Sequence, residues 1–139
     1  MERFFYLLIF VLALFFQVSA GAVSILQEQG LVGTVWTGEA QSGDGLLTYI
    51  FQFNKDGLYL ESTCHVDEIS STLKSNLAVN YNANGSTVEL RSGLDSTIPA
   101  GHGSCAVYFP AGLKFELDQA QIYIEYNGDR RLTHLLRKK

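Results

Sequence analysis

Leu47, Tyr49, Phe51 and Phe53 stand at alternate positions, so in an extended chain their four large apolar side chains all point one way. Thr48 and Gln52 face the other way, and Ile50 is the one exception on that side. Strict period two over seven residues matches a half-buried strand and not a helix, whose apolar positions would recur at three and four. The run stops at Asn54-Lys55-Asp56-Gly57, and alternation resumes over residues 58–64. Two such runs around a short polar break predict a β-hairpin, with Gly57 read as the residue that takes a positive φ in the turn.

The same grammar repeats along the chain. Residues 31–39 read as an opening strand. Leu77, Val79 and Tyr81 are answered by Val88 and Leu90 across Asn82-Ala83-Asn84-Gly85, which gives a second hairpin. Cys105, Val107 and Phe109 alternate up to Pro110, and Leu113, Phe115 and Leu117 follow across a turn at Ala111-Gly112. Ile122, Ile124 and Tyr126 lead into Asn127-Gly128, a type I′ turn signal, and Leu132, His134 and Leu136 close the series. Residues 92–103, with Ile98-Pro99 and few apolar groups, read as a long loop. Residues 66–74 stay ambiguous between a helical turn and an irregular crossing strand, because Val66, Ile69 and Leu73 carry helical spacing while Ser and Thr interrupt it. Ile25 and Leu26 read as a brief helical plug.

About nine short strands without crossover helices make a meander, which either closes into a barrel or folds into two sheets. Closure removes exposed edges, a hazard for a chain with many aromatic strands. The expected fold is therefore all-β, a small antiparallel meander barrel of eight to nine strands.

Behind Met1-Glu2-Arg3, residues 4–16 are thirteen consecutive apolar residues, followed by Gln17-Val18-Ser19-Ala20. This pattern reads as a secretory signal peptide over residues 1–20, with a cut after Ala22 as the alternative register. The run is too short for a transmembrane helix, which needs about 20 apolar residues. Residues 21–139 then form one β-barrel domain, exported to a periplasm or secreted, with no membrane span.

Charge narrows the partners. Between Gly21 and Asp129 four basic residues stand against thirteen acidic ones, while the tail 130–139 holds Arg130, Arg131, Arg137, Lys138 and Lys139. An acidic body lacks the clustered basic surface that phosphate binding needs, so nucleic acid is not an expected partner. The basic tail reads as a charged end that keeps the last strand soluble.

Cys64 and Cys105 are the two cysteines of the chain, and an even count in an exported protein predicts a disulfide. The alternative is a metal site from Cys64-His65 and His102-x-x-Cys105. Adjacent residues on a strand face opposite ways, which sets that alternative behind the disulfide, and no metal or cofactor is expected. His65, His102 and His134 are spread over different elements, and no nucleophile elbow, metalloprotease helix motif or phosphate loop occurs. The expectation is a protein that is not an enzyme. Asn84-Gly85-Ser86 matches the N-glycosylation pattern, although a turn alone accounts for an Asn-Gly pair.

Trp36, Tyr49, Phe51, Phe53, Tyr81, Phe109 and Phe115 fall on strand faces expected to point inward. They are the candidate ligand-binding residues if the barrel is hollow. In a small barrel side chains also fill the interior completely, and filling is the preferred reading.

Leu31-Val32-Gly33-Thr34-Val35-Trp36, then Phe53-Asn54-Lys55-Asp56-Gly57, then Tyr81 with Gly85-Ser86-Thr87-Val88-Glu89-Leu90 resemble small exported β-barrels of the lipocalin-like and META-domain kind. The Leu-x-Gly-Thr-x-Trp pattern is of the META type. The resemblance implies a bacterial envelope or secreted protein with no established catalytic activity. The functional expectation is a non-catalytic interaction module for an envelope or extracellular protein, with loop 92–103 presenting contacts. Its alternative is a carrier of a small apolar ligand.

Overall fold

A computed structural model describes residues 30–133 of the chain, together with the backbone of residues 136 and 137. The signal-peptide reading of residues 1–20, the plug at Ile25 and Leu26, and His134 lie outside the described residues. Every regular element among the described residues is a strand: β1 Val35–Ser42, β2 Gly45–Asn54, β3 Gly57–Val66, β4 Ile69–Leu77, β5 Val79–Tyr81, β6 Thr87–Leu90, β7 Leu94–Ala100, β8 Gly103–Phe109, β9 Lys114–Asp118, β10 Gln121–Tyr126, β11 Asp129–Leu132 and β12 Leu136–Arg137.

All pairings are antiparallel, in one five-stranded sheet ordered β12-β1-β2-β3-β4, a second ordered β11-β10-β9-β6-β5, and the separate hairpin β7-β8. No sheet closes into a barrel. The expected barrel is corrected by the way the chain turns a corner. Between β4 and β5 a single residue, Ala78, moves the ladder from β3 to β6: Leu77 pairs with Leu58, whereas Val79 pairs with Leu90. Ala78 is held there by Arg91 N–H donating to its carbonyl at 2.8 Å and by its own N–H donating to Ser92 Oγ at 3.1 Å. The chain changes sheet at this corner while the ladder does not continue through it.

The central hairpin β2-β3 forms as its alternation predicts, pairing from Leu46↔His65 to Asn54↔Gly57. Gly57 serves differently from the expectation. It lies in the strand, and a Cβ there would approach the Leu77 carbonyl oxygen of β4 to 2.9 Å. Its small size, not a positive φ, is what the sheet uses. At the other end of the sheet Gly43 does take a left-handed φ of 59°, as a two-residue hairpin turn between Ser42 and Gly45 requires. Asn127 (φ 51°) and Gly128 (φ 81°) form the anticipated turn between β10 and β11.

Two ambiguous or misread segments are strands. Residues 66–74 contain the two-residue turn Asp67-Glu68 and most of β4, which pairs with β3 through nine registered positions. The three-and-four spacing there reflects a turn between two strands. Residues 92–103 are not a loop, because β7 pairs with β8 from Leu94↔Phe109 to Ala100↔Gly103. Ile98 and Ala100 point into the core while Asp95, Thr97 and Pro99 are exposed. Pro99 is tolerated on a strand of a two-stranded hairpin, where it need not donate to a second neighbour. Phe109 and Leu113 flank a turn, but β9 pairs with β6 and β10 and not with β8.

The core lies between the inner face of the first sheet and a second layer made of hairpin β7-β8 and the sheet containing β9. Phe115 of β9 sits against Phe51 and Phe53 of β2, each at 5.7 Å between ring centroids. Phe109, at the end of β8, meets Tyr49 at 5.5 Å and Phe51 at 5.8 Å. Tilted and edge-to-face ring pairs of this kind contribute about 0.5–1.5 kcal/mol each beyond their burial.

Cys64 of β3 and Cys105 of β8 are joined by a disulfide with a Cα–Cα distance of 5.7 Å, and both are fully buried. The metal alternative falls with it, since both thiolates are consumed and His65 faces the opposite side of β3. The bond ties the hairpin to the sheet, and the β1-β2 turn adds a second anchor. Ser42 Oγ donates to Ala106 O at 2.7 Å and accepts from Ala106 N at 2.9 Å, and Asp44 N–H donates to Ser104 O at 3.1 Å.

Closing a loop between residues 41 positions apart restricts the unfolded chain by about 4 kcal/mol in the chain-entropy model. The Cys64→Ala/Cys105→Ala double variant is therefore expected to lose about 3–4 kcal/mol in urea unfolding. A loss below about 1 kcal/mol would show that the hairpin is held by its other contacts.

Candidate functional site

The opening segment shows how local chemistry fixes the strand that borders the site. Thr34 Oγ1 donates to the Leu31 carbonyl at 2.6 Å and accepts the indole N–H of Trp36 at 2.8 Å. Gly33, at φ 82°, directs its N–H to the Phe53 carbonyl at 2.7 Å. Leu31 is fully buried, and its N–H donates to Gly85 O at 2.8 Å. Gly33 and Thr34 thus join the opening segment to Phe53 near the end of β2, Thr34 links Leu31 to Trp36, and Leu31 ties the segment to the β5-β6 turn.

The seven aromatic candidates are distributed unevenly. Tyr49, Phe51, Phe53, Phe109 and Phe115 form one chain of ring contacts, including Tyr49–Phe51 at 5.6 Å. Trp36 is Cα-paired with Phe51 and buried beside it. Tyr81 stands apart, half-buried at the far end of the β2-β3 hairpin, where its hydroxyl donates to Asn54 O at 2.8 Å. Trp36, Phe53 and Phe115 are at most 1% exposed and Phe51 is 2% exposed, so these rings occupy the interior themselves.

One polar atom interrupts this interior. Ser62 is fully buried between Tyr49 and Leu73 on neighbouring strands, and its Oγ has no hydrogen-bond partner. An unmet buried hydroxyl costs about 1–3 kcal/mol.

The opposite, outer face of the five-stranded sheet carries an open concavity of about 460 Å³. Register places its walls in two rows: Thr37, Ile50 and Glu61 in one, Glu39, Thr48 and Thr63 in the next. Gly38 and Tyr49 floor it. Ile50 is half-buried and is the apolar side chain among the polar walls of the concavity, with Val35, Leu46 and Tyr59 on the same face beyond it. Beyond it a run of side-chain hydrogen bonds crosses the sheet: Thr63 Oγ1 to Thr72 Oγ1 at 2.9 Å, and His65 to Thr48 Oγ1 at 3.1 Å and to Ser70 Oγ at 2.7 Å.

The electrostatics of the two outer faces differ. On the second sheet Arg130 reaches Glu116 at 3.2 Å and Asp118 at 3.3 Å while its guanidinium lies 3.7 Å from the centre of the Tyr123 ring. Arg131 similarly meets Asp129, with Nε to Oδ2 at 2.8 Å. These two arginines, read from sequence as part of a basic tail, belong to β11 and are neutralised there. On the first sheet, among the described residues, Glu39 is in no ion pair, and Glu61 accepts the Tyr59 hydroxyl at 3.3 Å.

Sequence reasoning placed the aromatic set but missed the outer face. Its one signal was Ile50, the apolar residue out of phase with its strand. Among the described residues no group of three or more His, Cys, Asp or Glu side chains is arranged to hold a metal ion.

Burial pushes the Tyr49 hydroxyl above its ordinary value of 10.0, because the phenolate is poorly solvated against Phe51 and Phe109. The folded state therefore binds this proton more tightly than the unfolded state. The associated stability is fully present below pH 10 and is lost as pH rises through the folded value. The urea midpoint should fall above about pH 10, and fall less steeply in Tyr49→Phe. Superimposable alkaline profiles for the two proteins would contradict the burial assigned to this ring.

No protein-family model matches the chain, and searches of curated proteins and of solved structures likewise find no match.

Proposed function

We propose that this chain is a non-catalytic, exported β-domain that works through its surface, docking an envelope or extracellular protein on the outer face of strands β1, β2 and β3. The observation that carries the reading is the interior: Phe51, Phe53, Phe109 and Phe115 are spent on contacts with one another. Aromatic groups consumed by a core leave the outside to make contacts. The outer concavity, with its apolar centre and polar walls, has the composition of a small interface core with a hydrophilic rim. Packing of this kind weighs against the alternative of an apolar ligand carried inside.

Export is supported by the buried disulfide, which persists where thiols are not kept reduced. The lipocalin-like or META-like assignment is likewise our reading. It is supported by the succession of strands around the two sheets and by the hydrogen-bonded tasks of Leu31, Gly33, Thr34 and Trp36. Residues 92–103, expected as a loop that presents contacts, contain strand β7, whose Ile98 and Ala100 are buried in the inner layer.

The test is site-specific photocrosslinking of the full chain in the envelope and extracellular fractions of its source. A benzophenone amino acid at Thr48, on the concavity, should give an adduct of one defined mass. The same probe at Thr97, exposed on β7, should not. Equal adduct patterns from both positions, or none from Thr48, would overturn the assignment of the docking face.

A further inference from the structure

We infer that Asn84 is a modification site, the carboxamide acceptor of an N-linked glycan presented on the turn between β5 and β6. The inference rests on the export reading above and concerns the second sheet, not the docking face of the first.

Asparagines stand at positions 54, 76, 80, 82, 84 and 127, and Asn84 is the one with a serine or threonine two residues on. That hydroxyl, with any residue but proline between, is what N-glycosylation requires of its acceptor. Asn127 supplies an internal comparison. It too precedes a glycine in an exposed turn between paired strands, but its second neighbour is Asp129. The two Asn-Gly turns share exposure and differ in the hydroxyl, which makes Asn127 the control for Asn84.

The turn also carries the geometry. Asn82, Ala83 and Asn84 are exposed. Asn84 Oδ1 accepts the Ser86 N–H at 3.0 Å and the Ser86 hydroxyl at 2.7 Å. A carboxamide is planar, so an oxygen held on one arm leaves Nδ2, the atom that is glycosylated, on the other. Ser86 is held in turn: Asn82 Nδ2 donates to its Oγ at 3.1 Å, and Asn82 Oδ1 accepts the Thr87 N–H at 3.0 Å. These bonds all lie within residues 82–87, so the acceptor conformation is available to the chain locally before the sheets pack, and it is on the surface after they do. The compartment agrees, because the buried Cys64–Cys105 disulfide belongs to the same oxidising route that N-glycosylated chains follow.

The chemistry is a group transfer. Asn84 Nδ2 attacks the anomeric carbon of a sugar carried on a polyprenyl pyrophosphate. A C–N bond forms as the C–O bond to the pyrophosphate breaks, the pyrophosphate keeps the bonding pair, and one Nδ2 proton passes to a base of the transferase. Nothing is oxidised or reduced.

The test uses the full chain recovered from the envelope and extracellular fractions of its source. Peptides are mass-mapped before and after peptide-N-glycosidase in heavy-oxygen water, which removes the glycan and leaves a labelled carboxylate at the acceptor position. The expected result is label at position 84 and none at 127, loss of the glycan in Asn84→Gln and in Ser86→Ala, and retention in Ser86→Thr. Threonine keeps the hydroxyl, so its rescue separates acceptor chemistry from support of the turn, and unchanged urea midpoints check folding. An exported chain that is bare at Asn84, or Ser86→Ala protein that is modified as fully as the parent, would overturn the inference. A bare Asn84 together with the Thr48 crosslink would leave the docking face standing and refute the glycan. A glycan at Asn84 without any Thr48 crosslink would do the reverse, and recovery of the chain from the cytosol alone would refute export and glycan together.

Discussion

The contact of Phe115 with Phe51 and Phe53 is what makes two layers into one domain. Neither five-stranded sheet has a hydrophobic face that is satisfied alone, and no ladder of hydrogen bonds joins them. Burial of rings across the gap must do what a closed barrel would do with backbone hydrogen bonds. Phe109 extends the same contact to hairpin β7-β8, and the Cys64–Cys105 disulfide fixes that hairpin at the other end of β3's inner face. The interior is thus organised along β2, whose Tyr49 and Phe51 meet Phe109 and whose Phe51 and Phe53 meet Phe115.

This arrangement explains why the outer face is available. A strand with Tyr49, Phe51 and Phe53 turned inward necessarily turns Thr48, Ile50 and Gln52 outward. The flanking strands place Thr37, Glu39, Glu61 and Thr63 beside them by register alone. The proposed docking surface is therefore a consequence of the same periodicity that builds the core. Its distinguishing mark is the one choice periodicity does not dictate: an isoleucine where a polar residue would serve.

Much of the fold was legible in the sequence because the strongest signals were local. The β2-β3 hairpin, the turn at Asn127-Gly128 and the pairing of β5 with β6 follow from alternation and turn residues within a few positions. The disulfide followed from cysteine count and compartment. What could not be read was non-local or masked by composition. Strand β7 alternates, but Ser96, Pro99 and Ala100 gave it the appearance of a loop. Gly57 looked like a turn residue because the neighbour it must admit, Leu77 of β4, is distant in sequence. The open arrangement of sheets depends on a one-residue corner at Ala78 that no periodicity announces. The outer face was legible only through Ile50, since threonines and glutamates on strands are otherwise ordinary solvent-facing residues.

The central claim is that rings, not a cavity, occupy the space between the layers. Nuclear Overhauser contacts among selectively labelled aromatic rings measure this directly in the oxidised protein. The account predicts cross-peaks from Phe115 to Phe51 and Phe53, and from Phe109 to Tyr49 and Phe51. Their absence, with solvent or a co-purified molecule contacting Phe51 and Phe115 instead, would show a hollow interior and contradict the account.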